Sequence, residues 1–323
     1  MPNRPRTAFL RATCHAAVVT LAASACAPDE DETEAPTDDR ASAAVVDVIA
    51  RDLTLVAPDS IAPGWTTFRF TNTSPMIHFA VVERMPDGIG LAEQQAEVAP
   101  VFQDGLDLLA AGEVDAAMAT FGNLPPWFGE IVFMGGPGLT SPGRTSEATV
   151  HLEPGRYLLE CYVKTDGVFH SYNPEEGADG MVHEFVVAGE ASSAPEPEAT
   201  VQLTVSSEGG LTMQGGLTPG AHTIGVDFED QVVHENFVGH DVHVVRLDPE
   251  ADLDRLEAWM DWTRPEGLQS PAPLEFLGGT NEMPAGTTAY FTVSFEPGDY
   301  AWIAEVPGAS GKGMLVPFAV PEG

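Results

Sequence analysis

The sequence predicts an all-β protein made of two tandem β-sandwiches, each with a short helical insertion. Short apolar stretches of two-residue period recur along the chain between Pro-Gly and Gly-rich turns, a pattern of antiparallel sandwiches and not of a parallel sheet. The second half also repeats the first. His78-Phe-Ala-Val-Val-Glu-Arg-Met aligns with His240-Asp-Val-His-Val-Val-Arg-Leu, and Phe133-Met-Gly-Gly with Phe276-Leu-Gly-Gly. Leu152-Glu-Pro-Gly-Arg-Tyr aligns with Phe295-Glu-Pro-Gly-Asp-Tyr, and Gly180-Met181 with Gly313-Met314. Each repeat has the length of one sandwich domain.

Taken in order, residues 1–25 read as a signal peptide. Arg4, Arg6 and Arg11 precede the apolar run from Ala16 to Ala25, which is too short and wrongly flanked to span a membrane. Cys26, after Leu21-Ala-Ala-Ser-Ala, resembles the acylated cysteine of a bacterial lipoprotein. Ala23 stands where such boxes most often carry Leu, and Ala23-Ser-Ala25 equally suits ordinary signal cleavage. Residues 26–43 are acidic and Pro-containing, and read as a flexible tether. The expected location is the periplasmic or cell-surface side of a bacterial membrane, with a lipid anchor as the only membrane contact. Nothing later approaches the length of a membrane-spanning helix.

The formal charge is −35, from 14 basic and 49 acidic residues. Removing the signal with its three arginines leaves 11 against 49, or −38. Such a field repels nucleic acid and anionic lipid and favours cationic partners.

Residues 44–189 form the first expected domain. Val45 to Val56 reads as its first strand, Pro58 to Gly64 as a turn, and further strands surround Asn72 and His78. Between Leu91 and Phe121 the apolar residues Val98, Val101, Phe102, Leu106, Leu109 and Ala110 recur at helical spacing, with Ala-Gly-Glu-Val dividing two short helices. Residues 190–199, rich in Ser, Pro, Glu and Ala, read as a linker, and residues 200–323 as the second domain, with a helix near Leu253 to Trp262.

The chain has three cysteines, Cys14, Cys26 and Cys161. Export and lipidation remove the first two from consideration, so Cys161 has no intramolecular partner and is buried and inert, reactive, or held by a metal. Tyr157, Leu159, Cys161 and Val163 alternate along an expected strand. A loop carrying His170 and Met181 follows, and a short strand, Phe185 to Val187, closes the unit. Cys, His and Met in this order, with His78 opening an earlier strand, resembles the cupredoxin family. The resemblance implies a Greek-key sandwich in each half and one copper ion in the first, held by His78, Cys161, His170 and Met181. Two imidazoles and a thiolate with a weak axial thioether let copper cycle between Cu(I) and Cu(II) with little rearrangement. The chain departs from the small cupredoxins in its spacers. Eight residues separate Cys161 from His170 and ten separate His170 from Met181, which brings in His183 as a substitute ligand. In the second half Ala304 falls opposite Cys161 and the shortened loop has no His, so His240 and Met314 remain without the means to hold copper.

Plainer readings stand beside this one. Cys161 reads equally as a small core residue, His78 as a histidine bonded to a backbone carbonyl, and Met181 and Met314 as packing. His151, His222, His234 and His243 read as surface or edge residues. Multicopper oxidases and copper nitrite reductases need His-x-His pairs, and none occurs here, nor does a Gly-x-Ser-x-Gly or His-Glu-x-x-His motif. The expectation is therefore a protein without catalytic residues, carrying electrons or copper to a redox partner or membrane complex. The alternatives are a binding lipoprotein with a vestigial metal site, and one part of a larger oxidase complex.

Overall fold

The computed structural model describes residues 43–323 apart from Glu176. The signal peptide, Cys26 and the tether up to residue 42 lie outside the described residues. Those described belong to one compact unit.

The first half contributes β1 (Ala44–Arg51), β2 (Thr54–Val56), β3 (Ser60–Ile61), β4 (Gly64–Asn72), β5 (Val81–Arg84), β6 (Val132–Phe133), β7 (Thr145–Leu152), β8 (Gly155–Glu160), β9 (Lys164–Thr165), β10 (Val168–Phe169) and β11 (Val182–Val187). The second contributes β12 (Val201–Ser206), β13 (Gly210–Gln214), β14 (Gly220–Phe228), β15 (Val242–Leu247), β16 (Glu275–Thr280), β17 (Thr287–Phe295), β18 (Gly298–Ile303) and β19 (Leu315–Val320). One eight-stranded sheet, in the order β13-β12-β14-β17-β7-β4-β1-β2, runs through both halves. A five-stranded sheet, β3-β11-β8-β5-β6, and a four-stranded sheet, β16-β15-β18-β19, belong to the first and second halves respectively. The fold is thus an all-β sandwich structure with few helices. Its halves meet edge to edge where β7 pairs with β17 from Glu147 to Thr149.

The strand patterns follow from which faces are covered. β4 alternates strictly between buried and half-buried positions, as a strand with one covered face should. β8 does not: Tyr157, Leu158, Leu159 and Glu160 are all buried, because Leu158 packs under Ile89, Leu91, Trp127 and Ile131 of the helical segment.

Two expectations are corrected. The single strand read from Val45 to Val56 is a hairpin, broken at Asp52, whose φ of 50° turns the chain. The sheets are also mixed: β1 lies parallel to β4, β12 to β14 and β3 to β11. Parallel neighbours need a long crossover. Residues 52–63 and 207–219 supply one in each half.

The helical excursion is present, as α1 (Leu91–Glu93), a π turn (Gln94–Val98), α2 (Ala99–Ala110), α3 (Val114–Phe121) and a 3₁₀ turn (Pro126–Glu130). Pro100 at the start of α2 is preorganised for a first turn. At Gly105 a β-carbon would meet the Phe121 ring at 2.2 Å, so only glycine lets α2 and α3 approach this closely. In the second half α4 (Leu253–Met260) is capped by Asp252, which accepts from the Arg255 N–H. The segment 190–199 is bound to the sandwich. The Ser192 N–H donates to the Pro63 carbonyl (2.8 Å), and the Tyr290 hydroxyl donates to Glu196 (2.7 Å).

The repeat is visible bond by bond. Tyr157 donates to the Glu153 carbonyl (2.8 Å) and Tyr300 to the Glu296 carbonyl (3.0 Å), so the shared Pro-Gly-x-Tyr is one corner built twice. The shared Gly-Gly has a steric cause: a β-carbon on Gly136 would lie 2.3 Å from the Ala80 carbonyl, and one on Gly279 2.1 Å from that of Val242.

Candidate metal centre

Asn72, at the end of β4, builds the turn that carries His78. Its amide donates to the Met76 and Thr140 carbonyls at 2.8 Å each, and its Oδ1 accepts from the Ser74 N–H. His78 then bridges to Thr140 by two backbone bonds, three residues before β5 begins. It does not open that strand, as the sequence had implied.

Cys161 is the first residue past β8. The eight residues that follow do not form an open loop. They make a hairpin of β9 and β10, closed at Asp166-Gly167, both with positive φ (51° and 80°). This Asp-Gly turn absorbs the long spacer, and the His170 N–H returns to the Val163 carbonyl (2.8 Å). Met181 closes the ring of backbone bonds. Its N–H donates to the His170 carbonyl (2.6 Å), and its own carbonyl accepts from the Cys161 N–H (3.1 Å).

The second half of the chain holds the hairpin in place. The Lys164 N–H donates to the Leu268 carbonyl and the Ser270 N–H to the Lys164 carbonyl, both at 2.8 Å. The buried Lys164 ammonium donates to the Trp262 and Arg264 carbonyls (2.8 and 2.9 Å).

His78, Cys161 and His170 form a buried cluster of three ligand atoms. His78 Nδ1 lies 3.4 Å from Cys161 Sγ and 3.2 Å from His170 Nδ1, and Sγ lies 3.9 Å from His170 Nδ1. The circle through these atoms has a radius of about 2 Å, against ~2.0–2.3 Å for metal–imidazole and metal–thiolate bonds. Thr165 fixes one tautomer. Its hydroxyl donates to Met76 Sδ (3.2 Å), so it accepts from the His170 Nε2–H (2.9 Å) and leaves the Nδ1 lone pair facing inward. His78 Nε2 is buried with no hydrogen-bond partner.

Burial sets the protonation of the site. It pushes the Cys161 thiol up to about 12, although the Phe79 and Val163 N–H groups directed at the sulfur pull the other way. Burial lowers His78 to about 4 and His170 to about 3, the latter helped by neighbouring His78. Both imidazoles are therefore neutral donors at pH 7. A thiolate here needs a positive charge beside it. Two imidazoles and a thiolate in a trigonal set are the donor chemistry of copper, and the residues present fit that ion.

Met181 is fully buried beside the cluster. His183 is not brought to it. On β11 it pairs with Leu159, and its Nε2 faces the Pro58 carbonyl (3.4 Å) and Asp59 (3.6 Å). His240 sits apart, 3.3 Å from Asp230.

His243, expected at the surface, is fully buried, and the reason is its partners. Its Nδ1 accepts from the Leu139 N–H (3.1 Å) and its Nε2 donates to Asp241 (2.8 Å), which also accepts from the Glu305 N–H (2.7 Å). Asp241, His243 and Glu305 also lie close enough to hold a metal. Both His243 nitrogens are already engaged, so this second cluster is a structural lock between the halves. It carried no sequence signal beyond acids near a histidine.

No family model and no curated protein matches the sequence. Among solved structures, the chain resembles auracyanin from Roseiflexus castenholzii at 13% identity and a TM-score of 0.28, over 38% of this chain and 95% of that one. It resembles auracyanin A of Chloroflexus aurantiacus, a "blue" copper protein, at 21% identity and a TM-score of 0.27, over 46% and 100%. A copper nitrite reductase from Nitrosomonas europaea aligns over 86% of this chain and 93% of its own at 12% identity and a TM-score of 0.22. At these scores the likeness is remote.

Proposed function

We propose that this chain is an exported, lipid-anchored, cupredoxin-like electron carrier that holds one copper ion in its first half through His78, Cys161 and His170, with Met181 as the axial ligand. The observation that supports this reading is the inward triangle of Sγ and two Nδ1 atoms around a point about 2 Å from each. Bound copper would supply a one-electron Cu(I)/Cu(II) couple. The protein's part is to keep both imidazoles neutral, to cradle the thiolate with the Phe79 and Val163 N–H groups, and to exclude water from Cys161, which is fully buried. His170, 3% exposed, is the ligand edge nearest solvent and offers the electron its way out. No helix among the described residues is long and apolar enough to cross a membrane, so attachment is assigned to a lipid on Cys26. The Leu21 to Cys26 stretch motivates that assignment.

A redox titration of the copper-loaded protein in the presence of a Cu(I) chelator separates the two uses of copper. An electron carrier cycles reversibly and retains its ion. Loss of the ion to the chelator on reduction would instead make the protein a copper-delivery module. Met181→Leu is expected to keep copper and shift the potential.

A further inference from the structure

The helical excursion does more than cover β8. Between it, the β5–β8 pair and the second half lies a cavity of ≈ 70 Å³, room for about five water-sized groups. Glu83 and Glu160 enter it from one face of the β5–β8 pair, since Val81 stands opposite Glu160 and Glu83 follows two residues on. Glu282 enters from the second half. All three carboxyl groups are more than nine-tenths buried. Phe102, Phe237 and Trp262 supply aromatic wall, and among the described residues no Lys, Arg or His lines the space.

The inventory of hydrogen-bonding groups is one-sided. The donors are committed. Gln94 Nε2 serves Glu160, the Asn236 amide serves the Glu305 carbonyl, the Trp262 indole serves the Asn236 carbonyl, and the Tyr162 hydroxyl serves Glu305. The acceptors are only partly used: Glu160 accepts from Gln94 and Glu282 from the Gly239 N–H. Gln94, itself 3% exposed, has a buried Oε1 with no partner. The Glu83 carboxyl group has Glu160 and Glu282 as its charged neighbours, both of its own sign. A cavity of spare acceptors, acid groups and ring faces fits an occupant that brings donors and positive charge. A metal ion fits less well, because the oxygens of the three glutamates do not all lie within 4.8 Å of one another, as the ligand atoms of the two compact clusters do.

The surrounding backbone carries two irregularities. Gln94 and Val98 project from the π turn, a rare element that recurs at functional sites. Phe237 is held at a φ of 64°, which is strained for so large a side chain. We propose that this cavity is a binding site for a small organic cation, a protonated alkylamine whose ammonium group lies against Glu83, Glu160 and the Gln94 carbonyl and whose alkyl chain lies against Phe102, Phe237 and Trp262. The site is separate from the copper ligands and does not depend on them. Glu160, the last residue of β8, lines it, while the next residue, Cys161, does not.

The test is a calorimetric titration of the full, copper-free chain with propylammonium chloride, beside sodium propionate and sodium chloride at equal ionic strength. Saturable 1:1 binding of the amine at low-millimolar concentration or tighter, with no binding of propionate, is the expected result. Burial and the neighbouring Glu160 and Glu282 hold the Glu83 carboxyl well above the usual carboxylate range, and only a bound cation would favour its ionised form. Glu83→Gln puts a neutral amide of nearly the same shape there, so the variant should keep the fold and bind at least about tenfold more weakly. The exposed Glu322→Gln should bind like the parent. No saturable heat up to about 10 mM amine, equal binding of propionate, or an unchanged affinity in Glu83→Gln would overturn the proposal.

Discussion

Besides the longer helical excursion of the first half, the two halves of this chain share a strand plan around Cys161 and Ala304 and separate there at the thiol and at the turn that follows. In the first, the Cys161 N–H donates to the Met181 carbonyl at 3.1 Å. In the second, the Ala304 N–H donates to the Met314 carbonyl at 3.0 Å. The same ladder is present with a thiol in one half and a methyl group in the other. After Cys161 a hairpin closed at Asp166-Gly167 carries His170 back to the sulfur. After Ala304 the chain turns through residues 307–312 with no histidine, and the Met314 N–H goes to the Ala309 carbonyl. His240 persists where His78 stands, but it faces Asp230 in place of a thiol. The tyrosine corner and the Gly-Gly crossing are therefore architecture, and a methionine is kept in this position by both halves. The metal chemistry resides in one thiolate and one imidazole returned by a tight turn.

Removing the thiolate should erase the distinction most completely. Cys161→Ser leaves a hard, weakly ionised hydroxyl, and copper affinity should fall more than the ~10–100-fold typical of losing only an outer-shell partner. Competition against a chelator of known affinity measures it. Retention of parent-like binding would place the ion elsewhere.

Protons offer the next test. With the thiol near 12 and both imidazoles near 4 and 3, the site at neutral pH carries one proton that copper must displace. Between about pH 5 and 9 affinity should fall about tenfold for each unit of acidification, and more steeply as the imidazoles begin to protonate below that range. Chelator competition across pH gives the slope. A slope of zero would mean that the thiol is not a ligand.

The hairpin is what the first half adds, and its turn can be strained alone. A β-carbon at Gly167 meets nothing within 4 Å, yet φ there is 80°. Gly167→Val should cost about 1–2 kcal/mol of backbone strain, displace His170 and weaken copper by about tenfold. An unchanged affinity would show that the hairpin position does not depend on this turn.

The smallest effects should be alike in the two halves. Tyr157→Phe and Tyr300→Phe each remove one hydroxyl-to-carbonyl bond at the same corner. Each should cost about 1 kcal/mol in denaturant unfolding, with copper binding little changed. A cost confined to one half would break the structural equivalence.

Much of this was legible in the sequence, and the limits have physical causes. The repeat and the helical excursion could be read from spacing, and the four ligand candidates from the resemblance of their order to cupredoxins. The eight-residue spacer before His170 stands out in the sequence as a departure from the small cupredoxins, although Asp166-Gly167 within it is itself a hairpin signal. The parallel pairing of β1 with β4 was not legible, because alternation reports which face is buried and not which way the neighbour runs. His243 was misplaced for a related reason: its burial depends on Asp241 and the Leu139 N–H, the latter contributed from the other half of the chain. The continuity of β7 with β17 across the halves leaves no local trace either, since edge strands and central strands of this length read alike.

The central claim is that the triangle of His78, Cys161 and His170 is a copper site. Titrating the tether-free protein with Cu(II) while recording absorption and EPR spectra tests it most directly. The account predicts one equivalent bound, with an intense visible charge-transfer band from the thiolate, and a thermal stabilisation that at a thousandfold excess over the dissociation constant amounts to about 4 kcal/mol. A protein that stays colourless with excess Cu(II) and melts at the same temperature with and without it would contradict that claim and leave Cys161 a buried core thiol.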